Sequence, residues 1–362
     1  MSDLRADELA GMSNAERDLL RKSVRDFLAS AWPSDRSVES SSDHAATAKL
    51  WHGMARLGLT SLGSNMGEVG LRDIVLVFEE LGRASCPAPL LGAVAANLAL
   101  SSQSSNAAQA LLDDIHQGEA AIALALGVFD GDPVAGSIVV RGDKLHGALR
   151  FVEGTDQATH LLAFMDQPVG IAAIALSATG VNICPTPGLA VPPLSYVSLD
   201  GVSALRLSAP RDSLMEIATI ARLACAGRAL GAAQRAFDLA VEHAKVRKQF
   251  GQFIGQFQAI QHKFANCLIS LDGARLALDS AAEARDSSNP EWRVFASAAI
   301  AFAGPALRNV SIETHRALGA IGYAEEHEAP RHFRRVHSDL VRFGGAPRAR
   351  ADLADYLLGP VQ

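Results

Sequence analysis

The sequence predicts an α+β chain with a helical N-terminal domain, a central β domain of six or more strands and a C-terminal bundle of three or more long helices. Three observations predict it. Apolar residues recur at helical spacing up to about residue 118. Short alternating or apolar runs punctuated by Gly, Pro and Asp fill 119–208. Long helical patterns then return from Asp212 to the C-terminus. The expected domains are therefore 1–118, 119–208 and 209–362.

In the first domain, Ser13-Asn14-Ala15-Glu16 has the form of a capping box, followed by Leu20, Val24, Phe27 and Leu28 on one helical face. A second helix is predicted over AATAKLWHGMARLG, ending at Gly58. LRDIVLVFEELGRA is apolar on one face, Pro87 and Pro89 interrupt the chain, and LLGAVAANLALSS and QSSNAAQALLDDIHQG supply two more helices. The Ser-rich SVESSSDH reads as a loop. The runs AAIALAL, SIVVRGDKLHGALRFV, HLLAFM, GIAAIAL, GVNICPT and YVSLDGVSALRL predict six or more strands. Leu214, Ile217, Ala218, Ala221, Ala224 and Cys225 begin a long helix reaching about His243. FQAIQHKFANCLISLDGARLALDSAAEAR and WRVFASAAIAFAGPALRNVSIETHRALG continue the bundle.

Charge is divided unevenly along the chain. Residues 1–208 carry 14 Lys/Arg against 23 Asp/Glu, and residues 209–362 carry 19 against 16. The C-terminal part is the better host for an anionic ligand, but its basic residues are too scattered for nucleic acid. The four cysteines form neither a zinc spacing nor a CxxC pair, and no metal site is expected. The acidic N-terminus lacks the apolar core of a signal peptide, and no apolar run reads as a membrane span, so the expectation is a cytoplasmic protein. Trp32, Trp51 and Trp292 read as core or interface anchors. Glu325-Glu326-His327 reads as a solvated loop, and Arg331, Arg334, Arg335 and His337 as a basic surface face.

The segment 245–266, KVRKQFGQFIGQFQAIQHKFAN, breaks the helical pattern once. Arg247 offers a five-donor guanidinium suited to phosphate oxygens. Gly251 permits a tight corner. Gln249 and Gln258 can donate and accept, and Phe250 and Phe257 can flank a ring. The residues alone leave two readings open, a charged corner of a bundle or a seat for a dinucleotide.

RKQFGQFIGQFQAIQHKFAN resembles the signature of the acyl-CoA dehydrogenase family, an R-x-x-F-G corner followed by an F-Q pair and a long helix. RALGAIGYAEEHEAPRHFRR is similar to the family's Q-x-x-G-G-x-G-Y segment. GEVGLRDIVLVFEELGRASCPAPL is similar to its G-G-x-G and E-E-L-G-R patterns. The resemblance spans almost the whole chain and implies an acyl-CoA dehydrogenase-like α+β fold, with an N-terminal helical domain, a central β-barrel-like domain and a C-terminal four-helix bundle, and with FAD bound between subunits. It places Arg247 on the FAD pyrophosphate and Gln249, Phe250, Phe257 and Gln258 along the adenosine end. Arg316, Gly319 and Gly322 fall in the segment that approaches the cofactor closely.

The departures from the family are as informative. The carboxylate that takes the substrate's α-proton has two homes in the family. One lies 26 residues ahead of the corner arginine, where this chain has Ala221; the other lies in a Y-E-G-T loop, where VRFGGAPR puts Gly344 at or beside the acid. No catalytic residue is therefore assigned. The segments facing the flavin, T-E-P-x-A-G-S-D and Trp-x-Thr/Ser in the family, are GVFDGDPVAG and RFVEGTD here. The expectation is a base-lacking subunit that completes the FAD site of a related acyl-CoA dehydrogenase chain acting on an acyl-CoA such as a steroid side chain or a dicarboxylate. The alternatives are a self-sufficient flavoenzyme with a displaced base, for which Asp212, Glu216 and Glu242 were the nearest carboxylates, and a scaffold subunit without flavin.

Overall fold

The computed structural model describes residues 12–33, 43–129, 131 and 133–359. The Ser-rich segment expected as a loop falls mostly on 37–42, and Asp130 and Asp132 of GVFDGDPVAG are likewise outside the described residues. The chain packs as two compact units that interleave along the sequence. One comprises residues 1–39, 66–86 and 223–362; the other comprises 40–65 and 87–222.

The first unit is helical. It contains α1 (Asn14–Ala31) and α3 (Leu71–Arg83). The C-terminal helices of the same unit are the later part of α6 (Arg211–Val246), α7 (Gln258–Asp286), α8 (Trp292–Leu318), α9 (Ala329–Asp339) and α10 (Gly345–Leu358). The expected capping box opens α1: Ser13 Oγ accepts from Glu16 N, and the Glu16 carboxylate accepts from Ser13 N at 2.8 Å. The first turn of α3 is held from far along the chain. Asp286 accepts from Leu71 N at 2.6 Å and Arg72 N at 3.0 Å, which satisfies two amides that the helix cannot pair itself.

Helices α3 and α6 touch backbone to backbone. A Cβ at Gly82 would collide with the Arg228 carbonyl, and one at Gly231 with the Glu79 carbonyl. Beside that crossing, Arg228 is 1% exposed and donates to both carboxylate oxygens of Asp339 on α9, at 2.8 and 2.6 Å. Arg335, fully buried, donates to the Cys86 carbonyl at 2.8 Å. Helix α9 is anchored again at its start by Glu328, which accepts from Arg235 at 2.6 Å and pairs with His332 at 3.1 Å. The basic surface face expected over 331–337 is therefore corrected. Arg331 and Arg335 are buried, and Arg334 is tied to Glu325. The α9 stretch has too few apolar residues to fill its inner face, so the side chains of Arg331 and Arg335 fill part of it instead.

Helix α8 and the turn after it, 292–323, have the length and composition of a membrane-crossing helix, a stretch the sequence reading passed over. Its inner face, including Ala296, Ala303, Leu307 and Val310, is buried in the bundle. The three tryptophans are buried, as expected.

The second unit joins helices to β-structure. Its helices are α2 (His44–Arg56), α4 (Leu90–Leu100), α5 (Asn106–Gln117) and the first turns of α6. Eight strands form two four-stranded sheets. One has β1 (Ile122–Ala125), β4 (His160–Asp166), β5 (Val169–Ala175) and β8 (Leu205–Ser208) in the order β1-β4-β5-β8. The other has β2 (Gly136–Arg141), β3 (Lys144–Glu153), β7 (Leu194–Val202) and β6 (Val181–Pro185) in the order β2-β3-β7-β6. The strands alternate inward apolar residues, and Leu149, Val152, Leu161, Ala163, Ile174 and Val197 from both sheets share one core. The barrel-like character that the family resemblance implies is that of two sheets enclosing this core. On the helical side, Gly92 of α4 lies against the Ile122 carbonyl, and Asn97 donates to the Thr60 and Leu62 carbonyls at 2.8 Å each.

Two outcomes follow from this packing. Gly231→Ala forces α3 and α6 apart and should cost about 3 kcal/mol or more, whereas Gly251→Ala meets open space and should cost about 1 kcal/mol for its positive φ; thermal melts of the two variants check the order. Burial alone would raise Glu328, but the hydrogen bonds from His332 and Arg235 outweigh it and hold the carboxyl down to about 2. Its folded value lies below the ordinary 4.5, so the stability it confers is present above pH 4.5 and lost as pH falls toward 2. A Tm-versus-pH curve for Glu328→Gln should be flatter than wild type across that window.

Candidate functional site

Helix α6 ends at Val246, and the chain turns at once into a hairpin. Lys248–Gln249 pairs antiparallel with Gln252–Phe253, leaving Phe250 and Gly251 as the two-residue turn. Both turn residues have positive φ, 53° and 81°, as a tight hairpin with right-handed twist requires. Gly251 adopts this conformation freely; Phe250 does so at a cost. The hairpin is closed onto the helix by Arg247 N donating to the His243 carbonyl and Ile254 N donating to the Arg247 carbonyl, each at 2.9 Å. Gly255 lies against the Ala244 carbonyl.

The side chains of this corner point away from their own chain. Phe250 is 93% exposed and meets Phe257 edge to face at 6.2 Å between ring centres. Arg247 is exposed and has no carboxylate partner among the described residues. Gln249 donates to the neighbouring Lys248 carbonyl at 2.8 Å, and Gln258 lies exposed at the first position of α7. The group places a guanidinium, two primary amides and two phenyl rings together at the surface of the corner.

The second expected segment lies at the same end of the bundle. Leu239 and Ala240 of α6 share a small core with Phe264 of α7, Leu318 of α8 and Ala329 of α9, and Lys263 on α7 pairs with Glu313 on α8 at 2.6 Å. After α8 the chain makes a tight helical turn, Gly319–Tyr323. Gly319 has φ 62° and open space beside it, while Gly322 is packed 3.1 Å from the His315 carbonyl at the point where a Cβ would stand. Gly322 is thus a packing glycine, and Gly319 is the one with room for an outside group. Arg316 is exposed and bound to Glu313 at 2.6 Å.

Beneath this turn the structure stacks rings that sequence reading had not connected. Tyr323 meets His315 at 4.5 Å, His315 meets Phe333 at 4.6 Å, and Phe333 meets His337 at 4.3 Å. Burial pushes His315 and His337 below the ordinary imidazole value, helped by Arg334 at the first and Arg308 at the second. Contacts eight and eighteen residues apart leave no periodic signal; only the excess of rings over 315–337 hinted at the stack.

The two positions that would carry a base hold none. Ala221 is buried on α6. Gly344 has φ 80° between Phe343 at 54° and Gly345 at 48°, a run of left-handed backbone that a glutamate would strain. A Cβ at Gly345 would also collide with the Leu340 carbonyl. In the second unit, the RFVEGTD segment carries an irregularity in the β3–β7 pairing between Leu149 and Val152, with Phe151 at φ 58°. Phe129 of GVFDGDPVAG is buried edge-on to Phe164, with Arg211 over its ring. Among the described residues, no cluster of His, Cys, Asp or Glu is arranged to hold a metal ion.

Known proteins resemble the chain throughout its length. Residues 14–118 match the acyl-CoA dehydrogenase N-terminal domain, and residues 212–355 match the acyl-CoA dehydrogenase C-terminal domain. "Acyl-CoA dehydrogenase IpdE2" of Mycobacterium tuberculosis is 32% identical over 336 residues, covering 89% of this chain and 91% of that protein. A solved steroid ACAD pair, Tcur3481-Tcur3483, superimposes with a TM-score of 0.82 at 26% identity, over 95% of this chain and 98% of that one. The ChsE4-ChsE5 complex from Mycobacterium tuberculosis matches in fold with a TM-score of 0.82 at 20% identity, over 97% and 99% of the two chains. With both terminal domains matched and a relative aligned over nine-tenths of its length, this chain belongs to the acyl-CoA dehydrogenase family.

Proposed function

We propose that this chain is the base-lacking subunit of a heteromeric acyl-CoA dehydrogenase, and that its corner completes the FAD site of a related, base-carrying chain. The observation that carries the reading is the pairing of an outward corner with an absent base. Arg247 and Phe250 face away from their own subunit, while Ala221 and Gly344 occupy the places of the acid. The names of two solved neighbours, one a steroid ACAD pair and the other a two-protein complex, support a second chain and a bulky thioester such as a steroid-derived acyl-CoA.

FAD, when bound, accepts the hydride that leaves the acyl chain as the α-proton is removed. The residues here suit its diphosphate and adenosine end. Arg247 would hold the pyrophosphate through a charge-assisted fork. Gln249 and Gln258 would hydrogen-bond polar edges, and Phe250 and Phe257 would wall the adenine. Gly319 would admit the cofactor close to the backbone, beside Arg316 and the Gly322 turn. Ala221 and Gly344, at the two expected base positions, cannot move the α-proton, so this reading gives proton transfer to the partner's carboxylate. The same reading places the assembly in the cytoplasm.

Purified alone, the chain should retain little flavin; co-expressed with its partner, it should give a yellow complex with one FAD for each pair. Stoichiometric flavin in the isolated chain would favour a self-sufficient enzyme instead. In the complex, Arg247→Ala should weaken flavin retention about 10- to 100-fold, the loss of about 1.5–3 kcal/mol of charge-assisted bonding, with assembly intact by gel filtration. An unchanged flavin content would make the corner structural.

Restoring a carboxylate should not restore chemistry. Ala221→Glu buries an acid among Leu214, Ile217 and Ala224, which lowers stability and raises the pKa of the new group. The isolated variant should melt lower and show no acyl-CoA-dependent dye reduction. Turnover by it would reveal an intact second active site and sink the subunit reading.

A further inference from the structure

A second constellation lies in the helical unit, on helices α1, α3, α6 and α7. A cleft of about 270 Å³ is lined there by four arginines: Arg21 and Arg25 of α1, Arg83 of α3 and Arg275 of α7. Its floor is the backbone of α6 at Gly231, laid against the Glu79 carbonyl. Among the described residues, Glu79 is the one carboxylate that lines it.

The hydrogen bonds of these groups are unevenly spent. Glu79 is saturated: Oε1 accepts from Arg275 Nε at 3.1 Å and Nη2 at 3.0 Å, and Oε2 accepts from Arg21 Nη1 at 3.1 Å. Gln234 is committed as well, accepting from Arg275 Nη2 at 3.1 Å and donating to Asp238 at 3.0 Å. Arg275 is fully engaged too, since its Nη1 donates to Asp272 at 3.2 Å, but the other three arginines are not. Arg21 spends only Nη1, on Glu79 and Glu80. Arg83 spends only Nη2, on Asp238 at 2.6 Å. Arg25 spends Nε and Nη2 on Glu80 at 2.9 and 2.7 Å. Among the described residues, the remaining guanidinium nitrogens of Arg21 and Arg83, and one of Arg25, have no protein acceptor. A guanidinium carries five donors in a rigid fork, so each of these side chains is held by a carboxylate on one edge and keeps another edge free.

We propose that this cleft binds a doubly charged oxyanion, either free phosphate or the phosphate monoester of a nucleotide. Glu79, Glu80, Asp238 and Asp272 offset the charge of the four arginines, so the cleft offers an anion unspent N–H donors rather than a large net charge. A cation would meet four guanidinium groups there. A single carboxylate would engage one fork, whereas a tetrahedral dianion presents oxygens to the several free edges at once. The site owes nothing to the corner at Arg247 and stands whether or not that corner meets a cofactor.

The test is isothermal titration of the full chain at low salt, with inorganic phosphate in one arm and adenosine 3′,5′-bisphosphate in the other. Saturable binding with a Kd below about 1 mM, weakening as salt is raised, is expected for at least one of them. Tighter binding of the bisphosphate identifies a nucleotide-borne phosphate, and equal affinities identify free phosphate. The double variant Arg21→Gln/Arg83→Gln should lose at least about ten-fold in affinity. Arg72→Gln removes a pair with Asp279 that lies outside the cleft and should leave affinity unchanged. Loss of Arg21 also strips a partner from Glu79 and Glu80, so Arg83→Lys is measured alongside; it keeps the charge opposite Asp238 but not the fork, and should weaken binding in a chain that melts like wild type. Absence of saturable binding to the wild-type chain overturns the proposal. Wild-type affinity in a folded double variant, or in Arg83→Lys, does the same.

Discussion

The helical unit depends on one close crossing. Where α3 meets α6, Gly82 and Gly231 remove the side chains that would hold the two backbones apart. Everything beside that contact is arranged around its consequences. With the backbones so near, Arg228 cannot reach solvent, and its charge must be met inside the protein; Asp339 on α9 meets it with both oxygens. Breaking one side of such a pair leaves a buried charge, which is why replacing either partner alone is expected to be worse than replacing both with apolar residues. The same crossing presents Glu79 to α1 and α7, and so draws their arginines onto one cleft. A backbone contact of a few ångströms thus sets the electrostatics of five helices.

Local pattern made much of this legible in advance. The capping box at Ser13 and Glu16, the long helix beginning at Leu214 and the alternating strands that bury Leu149 and Val197 were all readable from spacing. The two-residue corner was visible because a glycine follows a phenylalanine just past a helical run. The arginines of α9 were misread. Charged residues at helical spacing ordinarily lie on a wet face, and the acceptor that Arg335 meets when buried, the Cys86 carbonyl, lies 249 residues away. The ring stack of Tyr323, His315, Phe333 and His337 was hidden for a related reason, since no single period joins its members.

The candidate site divides in the same manner. Residue types at Arg247, Gln249, Phe250, Phe257 and Gln258 left two readings open, a charged corner of a bundle or a seat for a polar, ring-bearing ligand, and only the family resemblance chose between them. Their outward direction did not follow from sequence, because a corner can fold over its own helix or project from it. The difference between Gly319 and Gly322 was equally invisible: both read as sites of close approach, yet one faces open space and the other supports His315. The absence of a base at Ala221 was plain from the residue itself. At Gly344 the backbone adds a second obstacle, since its left-handed conformation resists any substitution that carries a Cβ.

The hairpin at the end of α6 has a bearing on assembly that concerns entropy rather than contacts. Its shape is fixed by its own bonds: the Lys248–Gln249 and Gln252–Phe253 pairing, the return bond to Arg247 and the two left-handed residues at its tip. The strain at Phe250 is met during folding of the subunit, not on encounter with another surface. An exposed loop of similar composition without these bonds would have to surrender backbone freedom at about 1–2 kcal/mol for each residue ordered. On the proposed partner, a corner already closed would dock as a rigid tooth, and most of the energy of its aromatic and guanidinium contacts would remain available as affinity.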